Sequence, residues 1–265
     1  MSHNEELVFA KEHAKWHEEI EAERFATYGP LSQSGLYWLS EHPESFKDIP
    51  GVWSATKDGF VKVNFRASEG VIHNNKPAVG ELYLGPFTGA DSEFVEWGST
   101  QIQIAARFGR TMVRPHNPET ANRIHYPGTD TFAPDLSWVI TAEYIPNMRK
   151  NVEVPSAIPG TKHYYDSPGS ALFEINGQAM RLTLFGEDDS LRAHFTDLTK
   201  EDSTFAHVRF VEVTRLNAHR LVIDFNRAVN PPAAYSMFAT CPYTPPENHL
   251  TVRIEAGEKR PQQAV

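Results

Sequence analysis

Hydrophobic positions repeat in two different ways along this chain, first at a helical period and then at a period of two. The helical part is a narrow stripe formed by Phe9, His13, Trp16 and Ile20. Their spacing puts these side chains on one face of an α-helix. Ser2 and Glu5 have the spacing of a capping box at its start, and Gly29-Pro30 predicts its end. We expect the stripe to dock on the body of the protein or, in a homodimer, on a second subunit.

From about residue 31 the alternation of apolar and polar residues is that of β-strands. The segments with this pattern are 60–65, 101–104, 111–114, 171–175, 179–184, 191–195, 208–213, 221–225 and 250–255. Asp58-Gly59 and Asn176-Gly177 are typical two-residue hairpin turns. Short strands at this spacing, with no helical pattern between them, predict an all-β protein with an antiparallel β-sandwich or barrel.

Two proline-rich stretches interrupt the strands. Residues 114–135 contain four prolines, and residues 226–249 contain five. Loops without secondary structure that exceed about 12–15 residues are uncommon in compact domains. The second stretch has a core-like content of Tyr235, Met237, Phe238 and Tyr243, so we predict an ordered loop that proline rigidifies.

The expected organisation is a helix at 1–30, a β-sandwich-like half at 31–122 and a β-domain carrying the loop at 123–265.

Composition narrows the class of protein. Of 265 residues, 40% are hydrophobic and 22% are charged, as in ordinary globular proteins. The formal net charge of −9 argues against binding to nucleic acid or to an anionic membrane. No apolar run approaches the roughly 18 residues of a membrane span, and the acidic start lacks the features of a secretory signal. Cys241 is the one cysteine, which excludes an internal disulfide, and together these features predict a cytoplasmic location.

Spaced motifs run through the second half of the chain. They are Phe132-Ala-Pro-Asp-Leu-Ser-Trp-Val, Ser167-Pro-Gly-Ser-Ala-Leu-Phe, Phe195-Thr-Asp-Leu-Thr, Asp224-Phe-Asn-Arg-Ala-Val-Asn-Pro-Pro, Ala239-Thr-Cys-Pro, Pro245-Pro-Glu-Asn-His-Leu and Ala256-Gly-Glu-Lys. In this order they resemble a prokaryotic family known only as domain of unknown function 1684, over about residues 123–260. Ala233 stands where the family often has cysteine, so a two-cysteine clip is excluded here. The resemblance implies one fold and one distinctive loop, and it implies no reaction.

The first β-rich half has a resemblance of its own. Residues 70–80, 94–98 and 101–108 look like the late strands of a forkhead-associated β-sandwich. That fold binds phosphothreonine through an Arg after Gly and a Ser-x-x-His loop, and neither motif occurs between Leu36 and Phe65. The resemblance implies a protein-interaction module as an alternative function.

The end of segment 221–225 carries the first group of candidate site residues. Asp224 and Asn226 emerge together where the long loop begins, and strand ends that support loops are common ligand sites. Asp224 is a candidate base or a partner of Arg227, whose guanidinium could bind a carboxylate or phosphate. Asn226 and Asn230 are candidate hydrogen-bond donors to a ligand, although stabilisation of the loop backbone is the favoured interpretation for both.

A second group surrounds His194 and Asp197. These two are a candidate acid/base pair, because histidine titrates near neutrality. The simplest interpretation of Asp197 with Thr199 is instead an Asx-turn that closes the strand. Cys241 is a candidate nucleophile, but a packed thiol is the favoured interpretation. The candidate ligand-binding residues are Arg227, Asn226, Asn230, Tyr235, Cys241, Glu247, Asn248 and Arg209.

Metal and cofactor motifs are missing from the sequence. His13 and His17 share a helix face, but no Glu follows His13 as in helical zinc proteases. The other histidines are scattered singly, so no metal site is expected. No Gly-x-Ser-x-Gly elbow, phosphate-binding loop or dinucleotide fingerprint occurs, so no cofactor is expected.

The leading hypothesis is a protein that binds or processes a small metabolite, with anions as one candidate class. Its pocket would lie between the 224–249 loop and the strands near His194, Asp197 and Arg209, with aromatic walls and few polar contacts. If the protein is an enzyme, we expect hydrolase-like or lyase-like acid/base chemistry without a nucleotide cofactor. The alternatives are a forkhead-associated-like interaction module and a loop that is a structural plug over a sheet edge.

Overall fold

A computed structural model describes residues 3–187 and 190–262. The chain forms two compact units. One combines the chain start up to Glu23 with the segment from Pro127 onward, and the other is Arg24–Tyr126. Antiparallel strands dominate both units, so the predicted all-β class is confirmed. Within the described residues, no helix has both the length and the apolar character that crossing a membrane requires.

The Arg24–Tyr126 unit consists mainly of short strands. Its elements are β1 (Tyr37–Trp38), β2 (Val52–Ala55), β3 (Val61–Phe65), β4 (Val71–His73), β5 (Lys76–Pro77), β6 (Gly80–Leu84), β7 (Ser92–Trp97), β8 (Thr100–Arg107), β9 (Arg110–His116) and the short helix α2 (Ala121–Ile124). The strand orders are β1-β9-β8-β7-β4-β5 in one sheet and β2-β3-β6 in the other. The apolar members of the alternating segments, such as Val61, Val63, Ile102 and Ile104, are completely buried.

The other unit, which we call the helix–sheet unit, contains the N-terminal helix and the longest strands. Its elements are α1 (His3–Arg24), β10 (Val139–Pro155), β11 (Lys162–Ile175), β12 (Gln178–Leu184), β13 (Arg192–Phe195), β14 (Arg209–Arg215) and β15 (Arg220–Asp224). The sheet order is β12-β11-β10-β15-β14-β13. The hairpin predicted at Asn176-Gly177 is confirmed, since both residues have the positive φ values (51° and 75°) that its turn requires. The predicted capping residue Ser2 lies outside the described residues.

The segment 250–255 corrects one strand prediction. Leu250, Val252 and Ile254 are buried and alternate with exposed residues, as the pattern predicts. The segment nevertheless belongs to none of the strands, because side chains bind part of its backbone in place of a neighbouring strand. Asp197 accepts the Ile254 N–H, and Arg209 donates to the Ile254 carbonyl.

The proline-rich stretch 226–249 is an ordered loop, as predicted. Its course is set by short 3-10 turns at Phe225–Arg227, Pro232–Ala234 and Pro246–Asn248. Isolated β-bridges tie it to strands at Phe210–Val229 and Ser156–Pro242. The loop therefore has fixed backbone positions from which side chains can be placed.

The predicted stripe of α1 docks on the helix–sheet unit of the same chain. His13 is buried, and Phe9, Trp16 and Ile20 are half-buried, while most other residues of the helix are exposed. The imidazole of His13 is 3.0 Å from the backbone carbonyl of Asn226, at the start of the long loop. The docked face thus brings α1 next to the segment that carries the family-like motifs.

Candidate functional site

Glu258, in the Ala256-Gly-Glu-Lys motif, is a completely buried carboxylate beside α1. Gly257 precedes it with a φ of 75°, and a Cβ at that position would meet the Ala228 carbonyl oxygen at 2.6 Å. Only glycine fits this conformation and this close approach without strain. The Glu258 N–H donates to the same Ala228 carbonyl at 2.8 Å. The backbone therefore fixes where the Glu258 carboxylate points.

A buried ion pair holds the segment that ends in Glu258. The guanidinium of Arg209 donates to Oδ2 of Asp197 at 2.7 Å and to the carbonyls of Ile254 and Ala256. The other carboxylate oxygen of Asp197 accepts the N–H groups of Thr199 at 2.9 Å and Ile254 at 3.1 Å. Burial lowers the pKa of Arg209 from its ordinary value, and the Asp197 carboxylate opposes that shift. Both predicted site residues thus act as a clamp on 254–258.

His17 and Glu21 reach Glu258 from one face of α1, where residues four apart are neighbours. The Nε2 atom of His17 is 3.9 Å from Oε1 of Glu21 and 3.9 Å from Oε1 of Glu258. A backbone N–H holds the second oxygen of each carboxylate. Thr129 donates to Oε2 of Glu21 at 3.3 Å, and Asn230 donates to Oε2 of Glu258 at 2.7 Å. These three side chains, the His17–Glu21–Glu258 cluster, place three ligand-type atoms within 4.8 Å of one another.

His13 and the predicted residue Asn226 fix α1 beside this cluster. Burial lowers the pKa of His13, which favours the neutral ring, and its Nε2 donates to the carbonyl of Asn226 because a carbonyl can only accept. Asn226 is fully buried, and its amide group exchanges hydrogen bonds with the backbone of Asp135 at 2.9 Å. Oδ1 of Asp224 accepts both the N–H and the side-chain amide of Asn226. The Asp224 and Asn226 side chains therefore build the loop entrance.

The predicted residues Asn230 and Tyr235 lie on the other side of Glu258. Asn230 donates its backbone N–H to Glu258 and its amide to the Lys259 carbonyl at 2.7 Å. The Tyr235 hydroxyl is 3.0 Å from the Thr129 hydroxyl and donates to Oε2 of Glu258 at 3.5 Å. These contacts make both residues supports of the His17–Glu21–Glu258 cluster.

His194 and Asp197, the predicted acid/base pair, do not contact each other through their side chains. Asp197 is engaged by Arg209, Thr199 and Ile254, as described above. The ring of His194 is completely buried against Phe210 and Phe185, and neither of its nitrogens has a hydrogen-bond partner among the residues that the structure describes. Burial lowers its pKa to about 3. A neutral, enclosed imidazole has no route to a reactant in this structure, so the geometry corrects the pairing.

The remaining predicted residues are spread along the loop. Asn248 is fully buried and binds the backbone of Thr183 and the carbonyl of His194. Glu247 accepts a hydrogen bond from Arg149 at the surface, at 3.1 Å. Arg227 is half-exposed and lies 3.4 Å from Oδ2 of Asp224. Cys241 is half-buried. These four side chains do not converge with the buried carboxylate cluster.

A groove with a volume of about 780 Å³ opens on the other side of the segment that carries Glu258. Its lining includes Phe132, Phe205, His207, Ala234 of the long loop, Lys259 and Arg260. Glu258 lies opposite Thr131 in an antiparallel bridge, and successive side chains of extended backbone point to opposite sides. Glu258 therefore faces α1, whereas the ammonium of Lys259 lies 5.1 Å above the Phe132 ring.

The fold and the site define a class of protein: an all-β protein whose N-terminal helix packs over a buried carboxylate. The model of the family "Protein of unknown function (DUF1684)" matches residues 124–259. The chain belongs to this DUF1684 family, as its motifs predicted. A comparison with curated proteins gives no match.

A solved structure also resembles part of the chain. It is the solution NMR structure of an uncharacterized protein of Haloarcula marismortui, with 25% sequence identity and a TM-score of 0.43. The similarity covers 52% of this chain and 78% of that protein.

Proposed function

We propose that this protein binds a small anionic metabolite in the groove between Phe132 and Lys259. The observation that carries the proposal is the half-buried ammonium of Lys259. It lies over the Phe132 ring, and no carboxylate of the described residues pairs with it. An ammonium at the wall of a groove, without an internal counter-ion, is suited to an anionic group of a ligand.

The rest of the lining is mixed, because it includes the acidic residues Asp130 and Asp202 as well as a second cation and aromatic side chains. Arg260 adds a second cation, and it donates to the carbonyl of Asp202 rather than to a carboxylate. The carboxylate of Asp202 is already paired with the guanidinium of Arg253 through contacts of 3.0 and 3.1 Å. Phe205 and His207 supply apolar walls, in an edge-to-face pair with centroids 5.3 Å apart. The groove volume lies in the range of about 300–1,000 Å³ typical of small-molecule sites.

This groove modifies the leading hypothesis drawn from the sequence. The ligand contacts the long loop through Ala234, whereas Arg227 and Asp224 are not part of the groove lining. A cytoplasmic location belongs to the proposal, because the protein has one half-buried thiol and requires no oxidising compartment.

The proposal is tested by thermal shift with benzoate, citrate and inorganic phosphate as anionic probes. A probe at a hundred times its dissociation constant should stabilise the protein by about 2.7 kcal/mol, which corresponds to a rise of roughly 5–10 °C in Tm. The Lys259→Met variant should abolish the rise, because the methionine keeps the apolar stem and removes the charge. Lys57→Met, at an exposed position of the other unit, is the control for loss of a lysine.

Two outcomes contradict this placement of the ligand. If Lys259→Met responds to the probe as the unmodified protein does, the groove is not the binding site. If Arg227→Ala abolishes the response and Lys259→Met does not, the ligand binds at the Asp224 end of the loop.

A second candidate function, the protein-interaction module, is favoured by one observation in the Arg24–Tyr126 unit. Val79, Tyr83, Phe94 and Trp97 are large apolar side chains with 36–60% exposure between Gly70 and Gly98, in the part of the chain that contains the forkhead-associated-like segments. Exposed apolar side chains mark interaction sites when they form a patch. Binding of the full chain to phosphothreonine peptides, lost in Trp97→Ser but not in Leu7→Ser on α1, would support this function. Equal binding by both variants would contradict it.

A further inference from the structure

The His17–Glu21–Glu258 cluster brings two carboxylates together at a buried position. The side chain of Glu258 has no exposed surface, and that of Glu21 is 22% exposed. Carboxylates at such short range repel each other, and burying a carboxylate is costly without a compensating cation. Arg209 compensates part of the Glu258 charge, but its guanidinium is bound to Asp197 at 2.7 Å. A cation held between these two carboxylates and His17 would offset their mutual repulsion.

The orientation of the three side chains is that of a ligand set. Each carboxylate gives one oxygen to a backbone N–H and directs the other, Oε1, toward Nε2 of His17 at 3.9 Å. This distance is too long for a hydrogen bond. A tetrahedral ion with bonds of about 2.0–2.2 Å would hold its ligand atoms about 3.4 Å apart. A contraction of about half an ångström would close each of the two pairs that include His17, and the two carboxylate oxygens already lie within 4.8 Å of each other. The half-exposed side chains of His17 and Glu21 can rotate to bring the three atoms together.

We propose that His17, Glu21 and Glu258 bind one divalent transition-metal ion, with Zn²⁺ and Mn²⁺ as the probes. One imidazole nitrogen with two carboxylate oxygens suits such ions, whereas Mg²⁺ and Ca²⁺ prefer oxygen ligands alone. Three protein ligands leave at least one coordination position for water or another small ligand. This position lies toward His17 and Glu21, whose side chains are 23% and 22% exposed.

Neighbouring residues hold the three proposed metal ligands in position through further hydrogen bonds. Metal ligands are commonly oriented by outer hydrogen bonds, and here Thr129 and Asn230 bind the outer oxygens of the two carboxylates. His13 is excluded as a fourth ligand through Nε2, because that atom donates to the Asn226 carbonyl. The Asp197–Arg209 clamp fixes the backbone on which Glu258 is carried.

Isothermal titration of the metal-free full chain with Zn²⁺ and with Mn²⁺ at pH 7.5 tests the proposal. We expect one ion per chain for at least one of the two metals. His17→Gln and Glu21→Gln should each weaken binding at least tenfold while leaving the far-ultraviolet circular dichroism unchanged, because both positions are half-exposed. Glu258→Gln should do the same, and the first two variants keep the test valid if this buried substitution impairs folding.

Matched controls separate the cluster from general binding to histidines and carboxylates. Glu18→Gln removes an exposed carboxylate from the same helix, and His73→Gln removes the histidine of a His73–Glu93 pair with a 3.3 Å separation. Both should bind the metal as the unmodified chain does. No one-to-one binding of either metal, or equal affinity in the His17→Gln and Glu21→Gln variants, would overturn the proposal. That result would leave the anion groove untouched, since Lys259→Met and the anion probes test it separately.

A spectroscopic measurement on the same samples locates the ion. Adding Zn²⁺ should shift the imidazole ¹⁵N resonance of one histidine strongly, and that resonance should be missing from the His17→Gln spectrum. A shift that persists in His17→Gln would place the ion at another histidine and contradict the assignment.

Discussion

Asp197→Ala is expected to lower the free energy of unfolding by about 3–5 kcal/mol, because it leaves the guanidinium of Arg209 buried without its counter-ion. Both side chains are essentially inaccessible to water, at 0% and 1% exposure. The substitution also removes the acceptor for the N–H groups of Thr199 and Ile254. Urea unfolding followed by circular dichroism measures the loss, and hydrogen exchange at the Ile254 amide reports whether the 254–258 segment opens.

Asp202→Ala is the matched control, because it removes a carboxylate from an Asp–Arg pair at the surface. Asp202 and Arg253 are joined by two contacts of 3.0–3.1 Å, but their side chains are 57% and 41% exposed. Exposed ion pairs contribute little to stability, so the unfolding midpoint should hardly change. Equal effects of the two substitutions would show that the buried pair is not a clamp. Replacing both Asp197 and Arg209 by apolar residues should recover only part of the loss, since the carbonyls of 254–258 would stay without their donor.

The two-residue period of the sequence predicted much of the fold, because a strand that buries one face has apolar residues at every second position. Residues 250–255 show where this logic stops. Leu250, Val252 and Ile254 are buried in alternation, yet a side chain from Asp197 replaces part of the strand partner. Alternation reports which face is buried, and it does not report what binds the backbone. The Asp197-x-Thr199 turn was predictable locally, whereas its bond to Ile254 joins residues far apart in the chain.

The sequence predicted only part of the candidate site, because the site is formed by residues far apart in the chain. The stripe of α1 predicted that His13 docks on the body of the protein or on a second subunit, and Asn226, Asn230 and Tyr235 of the loop were candidate ligand-binding residues. His17 and Glu21 were missed as ligands, because polar residues beside an apolar stripe resemble solvent-facing positions. The steps of four residues from His13 to His17 and from His17 to Glu21 were the available signal. Glu258 belongs to the Ala256-Gly-Glu-Lys motif, but only the tertiary structure brings it next to α1.

The interpretation of His194 as one half of an acid/base pair failed, because the position of a residue in a strand does not show which side chains surround it in the fold. His194 lies three residues before Asp197 on an alternating strand, a spacing too common to identify an acid/base pair. In the fold, the rings of Phe185 and Phe210 lie at centroid distances of 5.0 and 4.6 Å from that of His194, and Tyr165 lies edge-on at 5.8 Å. Burial in such surroundings disfavours the charged imidazolium. The same burial makes His194 a determinant of stability against acid.

We expect the protein to lose stability as the pH falls below about 6.5, with His194 as a main cause. Burial holds the pKa of the folded-state imidazole at about 3 against 6.5 in the unfolded chain. Between these values the unfolded chain binds up to one more proton, so each pH unit costs about 1.4 kcal/mol. The loss is about 2 kcal/mol by pH 5 and about 4 kcal/mol by pH 3, where half of the folded-state imidazole is also protonated. Urea midpoints at pH 7 and pH 5 measure this loss. His194→Phe should keep the stability at pH 7, because within the described part of the chain neither ring nitrogen has a partner to lose. It should also reduce the loss at pH 5 by about 2 kcal/mol.

Variants of His116 and His219 distinguish the effect of His194 on acid stability from a general effect of histidines. Burial lowers the pKa of His116 to about 4 and also lowers the pKa of His13, so His194→Phe should retain part of the acid dependence. Only the variant with His13, His116 and His194 all replaced should lose most of it. His219→Phe, at an exposed position, controls for the removal of a histidine as such. If His194→Phe and the unmodified protein lose the same free energy between pH 7 and pH 5, the ring of His194 must accept a proton in the folded state. Its aromatic surroundings would then have to open to water, and the enclosed imidazole would again be a candidate for acid/base chemistry.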